Sequence, residues 1–160
     1  MFDQYAYIKS LQETDPELGP ELDPILIPEI EAIHRITGLR ELEETLEEIR
    51  NHKPFMLLVE DDDDGYLQLS HGNVDNGFRT FYVVGRTKLN DSDNRKLIQT
   101  QCKTFALKIF KQMMADAQNF GDAAYGFERS RVDYRRIGPL INNYYGYSFS
   151  YIVTDENFQL

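Results

Sequence analysis

One stripe of apolar side chains constrains this chain more than any other feature. Ile98, Cys102, Phe105, Ala106, Ile109, Met113 and Ala117 recur at helical spacing and share an arc of roughly 120° on a helical wheel. The tetrapeptide Asn90-Asp91-Ser92-Asp93 precedes them. Such short polar side chains satisfy the free N–H groups of a first helical turn. The spacing predicts a helix from about Ser92 to Gln118. Lys96, Lys103 and Lys111 lie off the stripe, so one face is apolar and needs a broad surface to lie on.

Strand patterns supply that surface. Phe55-Met56-Leu57-Leu58-Val59-Glu60 is nearly continuous apolar sequence, the mark of a buried strand. Tyr66, Leu67 and Leu69 open a second strand after a turn over Asp61 to Gly65. Phe78 to Thr87 is a third, with Phe78, Thr80, Tyr82 and Val84 on one face and Phe81 and Val83 on the other. Asn76-Gly77 just before it is a strong tight-turn dipeptide. A loop rich in small residues spans 119–127. Val132, Tyr134 and Ile137 mark a fourth strand, Gly138-Pro139 interrupts, and Tyr147 to Val153 reads as a fifth. Leu39, Leu42, Leu46 and Ile49 line one face of a further helix, from Leu39 to Lys53, with glutamates covering the rest.

The N-terminal part reads differently. Phe2, Tyr5, Ile8 and Leu11 are spaced for a short amphipathic helix. Thr14 to Pro24 holds three prolines and a glycine, which suit an extended loop. Residues 28–36 suit a short helix with Pro28 near its start. The expected organisation is an acidic, proline-containing, irregular N-terminal arm over 1–38 and an α+β domain over 39–160. That domain is expected to hold a mainly antiparallel sheet of four to five strands, covered on one face by two helices.

Composition narrows the function. With 160 residues, 41% hydrophobic, and twenty Phe and Tyr, a sizeable core forms. A single cysteine excludes a disulfide scaffold. No apolar run approaches the roughly 18 residues of a membrane span, and Met-Phe-Asp-Gln-Tyr does not resemble a signal peptide. An intracellular, soluble protein is the expectation. The net charge of −10 is uneven. Residues 1–50 hold 13 acids and 4 bases, whereas residues 91–160 hold 8 acids and 9 bases. Such a field repels phosphate backbones and anionic lipid, so neither nucleic-acid nor membrane binding is expected.

Familiar chemistry is missing from the sequence. With Gly65 at position 6 of a calcium loop, His71 falls where a bidentate glutamate is needed. Asp61–Asp64 therefore reads as a solvated hairpin tip, with a weak divalent-cation site as the other reading. His34, His52 and His71 have no metal-ligand spacing. Cys102, on the apolar stripe, reads as a small core residue. Phosphate-loop, dinucleotide and nucleophile-elbow patterns are lacking. No enzyme activity, cofactor, catalytic residue or metal ligand is expected.

Arg129, Arg131, Arg135 and Arg136 fall within eight residues of an otherwise acidic chain. They read in three ways: local ion pairs with Glu128 and Asp133, contacts to another copy of the chain, or a nucleic-acid patch. In the second reading Glu43, Glu44 and Glu47 are the opposing charges. Tyr134, Tyr144, Tyr145, Tyr147 and Tyr151 cluster nearby, as interface anchors or as strand packing.

From Leu39 to Val153 the order of elements resembles phage tail terminator (tail completion) and head-tail joining proteins. The parts that carry the resemblance are Lys53-Pro54-Phe55 leading from helix to apolar strand, the aromatic strand Phe78 to Val84, the capped long helix, and Asn142 to Val153 with its Gly146-Tyr147 entry into a terminal strand. The resemblance implies a non-enzymatic structural protein of a phage or prophage virion. It would act as a homo-oligomeric ring, six-fold by expectation, with tail-tube or neck proteins as partners. It would reside in the cytoplasm during assembly and in the virion afterwards. The rivals are a small acidic interaction module (an adaptor, or an inhibitor of a basic partner) and a metal-dependent enzyme using Asp61–Asp64 with His71.

Overall fold

The computed structural model describes residues 2–12, 30, 32–48, 54–60, 64–69, 72, 74–118 and 124–155. Helix α1 spans Gln4–Gln12, strand β1 Ala32–Ile36 and helix α2 Leu39–Glu48. Strands β2 (Phe55–Glu60), β3 (Asp64–Gln68) and β4 (Val74–Arg86) follow. Helix α3 (Ser92–Asp116), strand β5 (Asp133–Ile137), a single 3-10 turn at Ile141–Asn143 and strand β6 (Tyr144–Asp155) complete the order. The fold is α+β, with one mixed sheet of six strands. No helix is long and apolar enough to cross a membrane among the described residues.

The sheet order is β1-β2-β4-β6-β5. All pairs are antiparallel except β1 with β2. Strand β3 shares an edge of β4 with β2: β2 pairs residues 81–85 of β4, and β3 pairs residues 74–78. Arg79 and Thr80 fall between the two ladders. A bare carbonyl there is costly, and Gln4 answers it. Its Nε2 donates to the Thr80 carbonyl at 3.0 Å, while its Oε1 accepts from the Tyr151 hydroxyl at 2.7 Å. Helix α1 is thereby tied to the centre of the sheet.

Both sheet faces are dry over β2 and β4. Leu57, Val59, Phe81, Val83, Phe149 and Tyr151 pack with Ile8 of α1 and with α3. Met56, Leu58, Tyr82, Val84 and Tyr144 pack with Leu42 and Leu46 of α2. The two long helices of the expectation therefore lie on opposite faces, not on one. The cause is the period of two along a strand: alternate apolar residues must be covered from opposite sides. The α3 side is built on rings. Phe81 lies 5.5 Å from both Phe110 and Phe149, and Phe110 stacks on Phe127 at 6.0 Å.

Two sequence expectations meet corrections. Residues 32–36 form a parallel edge strand where a helix over 28–36 was expected. Ile36 is buried against α2, and the Arg35 guanidinium sits 4.1 Å over the Tyr5 ring. The stretch 1–38 thus contributes a helix and a strand to the fold, while the proline-rich segment 13–29 lies outside the described residues. Asn76-Gly77 is the second difference. It lies inside β4, opposite Tyr66 and Gly65 on one side and Thr154 and Val153 on the other. The Asn76 amide donates to Gln68 and accepts from Thr154. A Cβ on Gly77 would stand 2.7 Å from the Arg79 guanidinium, so this glycine makes room for a buried arginine rather than a turn.

At the start of α3 expectation and structure agree. Helix α3 begins where the caps indicate, with the Asp91 carboxylate accepting the Asn94 N–H at 2.9 Å. Asn142 and Asn143 take left-handed backbone conformations before β6, which asparagine tolerates better than most residues. The Asn143 carbonyl then accepts both the N–H and the hydroxyl of Thr87, at 3.0 and 2.7 Å.

Two predictions follow from this arrangement. Gln4→Leu removes the bond to the Thr80 carbonyl and the one from the Tyr151 hydroxyl, and leaving the buried carbonyl unserved costs about 1–3 kcal/mol. The urea midpoint should drop, and a variant as stable as the parent would dismiss this role. His34 of β1 is half-buried, its Nε2 has no hydrogen-bond partner among the described residues, and burial holds its pKa below the ordinary 6.5. The unfolded chain therefore binds this proton more readily. Stability should fall as the pH drops below about 6.5, and His34→Gln should flatten that slope in melting temperatures measured from pH 7.5 to 5.

Candidate assembly surface

Strand β5 is one edge of the sheet, and its first four residues are exposed. Its pairing with β6 sets which way each side chain points. Tyr134 and Arg136 sit opposite Phe149 and Tyr147, on the α3 face. Asp133 and Arg135 sit opposite Ser150 and Ser148, on the α2 face. Lys103 of α3 reaches over this edge, with its Nζ 4.3 Å above the Tyr134 ring and 4.6 Å above Tyr147.

The four arginines divide. Arg131 pairs with Asp133 at 2.9 Å, and both side chains are well exposed, so the pair adds little stability. Arg129, Arg135 and Arg136 are exposed and form no ion pair among the described residues. Glu128 turns instead to the Ser130 N–H at 3.0 Å, a bond that holds its carboxyl below the usual range.

The proposed opposing charges behave likewise. Leu42 and Leu46 point α2 inward, and Glu43, Glu44 and Glu47 project into solvent. Glu41 differs, because it reaches back to Thr37. Its carboxylate accepts the Thr37 hydroxyl and, at 2.7 Å, the Thr37 N–H, which lowers its pKa. No ion pair within the subunit joins the arginines to the α2 glutamates among the described residues.

Of the tyrosines, Tyr144 and Tyr151 are core residues and Tyr147 is partly covered, while Tyr134 is 56% exposed. Packing therefore accounts for most of the cluster, and Tyr134 alone of these five is largely open at the edge.

Strand patterns concealed another feature. Helix α2 has ten residues and spans about 15 Å, whereas β4 has thirteen and runs roughly 40 Å. Beyond α2 no described helix covers the same sheet face. A groove of about 540 Å³ opens there. Phe78 and Ile152, cross-strand neighbours, give it an apolar floor. A hydroxyl contact of 2.9 Å between Thr80 and Ser150 continues that floor. Tyr66 packs against Phe78 at 5.9 Å. Four carboxylates, from Glu60, Asp64, Glu128 and Asp133, stand around it against the single Arg131. The sequence signal was the polar-aromatic alternation Phe78–Thr80, which reads equally well as an inward-facing strand.

The described residues contain no group of three or more His, Cys, Asp or Glu placed to hold a metal ion. Asp61–Asp63, His52 and His71 lie outside the described residues. Cys102 is fully buried, and burial pushes its thiol up to about 12. Compared with known proteins, the chain matches no protein family and no curated protein.

Because the thiolate is the reactive form, Cys102 should resist a disulfide-exchange reagent at pH 8 in the native protein and react at once in guanidinium. Rapid native labelling would contradict its burial.

Proposed function

We propose that this chain is a structural, non-enzymatic protein that works by assembling with copies of itself. In the fullest form of this reading it is a tail terminator or head-tail joining component of a phage or prophage virion. It assembles in the cytoplasm into a ring, a hexamer by expectation, that meets tail-tube or neck proteins. One observation carries the self-assembly reading. A cationic sheet edge and the turn before it, with Arg129, Arg135 and Arg136, and an acidic helix, with Glu43, Glu44 and Glu47, occur on one chain and form no ion pair with each other among the described residues. Opposite charges held apart within a subunit can meet between subunits, and they set register and partner choice there. Edge strands also need protection from indiscriminate pairing, and charged side chains provide it. The assignment to phage tails rests on the resemblance in element order alone.

A second reading is favoured by the carboxylate-ringed groove. In that reading the chain is a small acidic module that receives a basic protein partner.

Light scattering coupled to size exclusion, at low and high protein concentration, tests the first reading. A discrete oligomer is expected. Raising salt from about 0.1 to about 1 M shortens screening from about 10 to about 3 Å and should weaken it. The double variant Arg135→Glu/Arg136→Glu should shift it toward a folded monomer. An unchanged oligomer in that variant removes the charge-pairing role, and a strict monomer of the parent at every concentration favours the acidic module.

A further inference from the structure

The groove beside Phe78 has a counterpart on the same chain. Strand β4 runs away from the groove and ends at Arg86. The turn that follows, Thr87-Lys88-Leu89-Asn90, carries Leu89 with 72% of its surface exposed. This turn is firmly held. Thr87 bonds twice to the Asn143 carbonyl, and the Lys88 N–H donates to the Asn94 amide oxygen at 2.8 Å. Asn90 closes it in a left-handed conformation at φ 59°. Three cations are near the leucine in sequence: Arg86 and Lys88 are exposed, and Arg95 lies 5.5 Å over the Tyr145 ring. Asp91 and Asp93 at the start of α3 set two carboxylates against these cations, and that of Asp91 caps the helix.

We infer that the Leu89 turn of one copy docks into the Phe78–Ile152 groove of the next, with Lys88 and Arg86 facing the carboxylates of Glu60, Asp64 and Glu128. The chemistry matches at both levels. A rigid apolar knob meets an apolar floor, and a cationic surround meets an anionic one. This is the pattern of an anchor residue enclosed by charged contacts that exclude water. Eight residues of β4 separate Phe78 from Arg86, about 26 Å, so a copy cannot fill its own groove. The contact joins two different surfaces, the turn of one copy and the groove of another. The inference rests on the self-assembly reading and names a contact within it, distinct from the β5 edge.

The test is a disulfide trap in the full chain. One protein carries Leu89→Cys. A second, made heavier by a terminal tag, carries Phe78→Cys or, as an independent groove position, Ile152→Cys. Cys102 is buried and stays silent. Mixed at high concentration and oxidised, the two should give a mixed dimer in excess over the two same-variant dimers. Adding Lys88→Glu to the first protein should abolish that excess. Adding Asp64→Lys and Glu128→Lys to the second should restore it. A mixed dimer no more abundant than the same-variant dimers at both groove positions, or one indifferent to Lys88→Glu, overturns the docking. Light scattering of the parent chain separates the two levels. A parent oligomer without the mixed dimer sinks the docking and leaves self-assembly standing, whereas a parent monomer without it sinks both.

Discussion

Strand β4 is the element on which the other parts depend. It is paired along both edges, by β2 and β3 on one side and by β6 on the other. Its side chains alternate between two cores: Phe81 and Val83 face α1 and α3, and Tyr82 and Val84 face α2. A strand with apolar groups on both faces cannot be left half-covered, because each bare side chain forgoes about 1.5–3 kcal/mol of burial. That requirement fixes helices on both sides of the sheet. The break between β2 and β3 leaves one carbonyl of β4 unserved, and Gln4 serves it. Even the N-terminal helix is therefore positioned by a need that arises in β4.

Much of this arrangement was legible in the residues. The stripe from Ile98 to Ala117 located α3, and Asp91 marked its start. The run from Phe55 to Val59 gave β2, and its unbroken apolarity was itself a sign of cover on two faces. What periodicity cannot give is which helix lies on which face, since Leu42 and Ile109 look alike in a helical wheel. Strand β1 was hidden for a related reason. Its five residues pair in parallel with a strand more than twenty positions later, and no local signal reports that. Asn76-Gly77 misled because a turn dipeptide was read without its neighbours. The buried Arg79 needed a position without a Cβ, and the sequence does not announce that arginine as buried.

The site was legible in the same uneven way. Four arginines in eight residues identified the β5 edge as chemically distinct. Arg135 and Arg136 fall on opposite faces of that edge by alternation. The groove was not visible, because it exists only where α2 stops and β4 continues. Phe78 and Ile152 are ordinary strand residues by sequence. Their exposure is a consequence of helix length, and a ten-residue helix cannot shade a thirteen-residue strand. The groove is thus a by-product of the fold's proportions. Its surrounding carboxylates distinguish it from a purely apolar surface.

A direction follows from the two ends of β4. The strand starts beside an acidic groove and ends at a turn that exposes Leu89 and Lys88, so its two ends differ in chemistry. Under the docking proposed above, such unlike ends either exchange reciprocally in a two-fold pair or propagate from copy to copy, and a propagating contact closes into a ring only when each step turns by a whole fraction of a revolution. The closure angle is then set by the stiffness of the parts that meet. The hydrogen bonds of the Leu89 turn to Asn94 and Asn143 fix one part. The paired strands β4 and β6 beneath Phe78 and Ile152 fix the other. A contact made from two rigid parts holds one angle, and the same residues joined by loose loops would give open chains of varied curvature. Under this reading the bonds that hold the Leu89 turn determine the number of copies in the assembly, while Leu89 and Lys88 determine its strength.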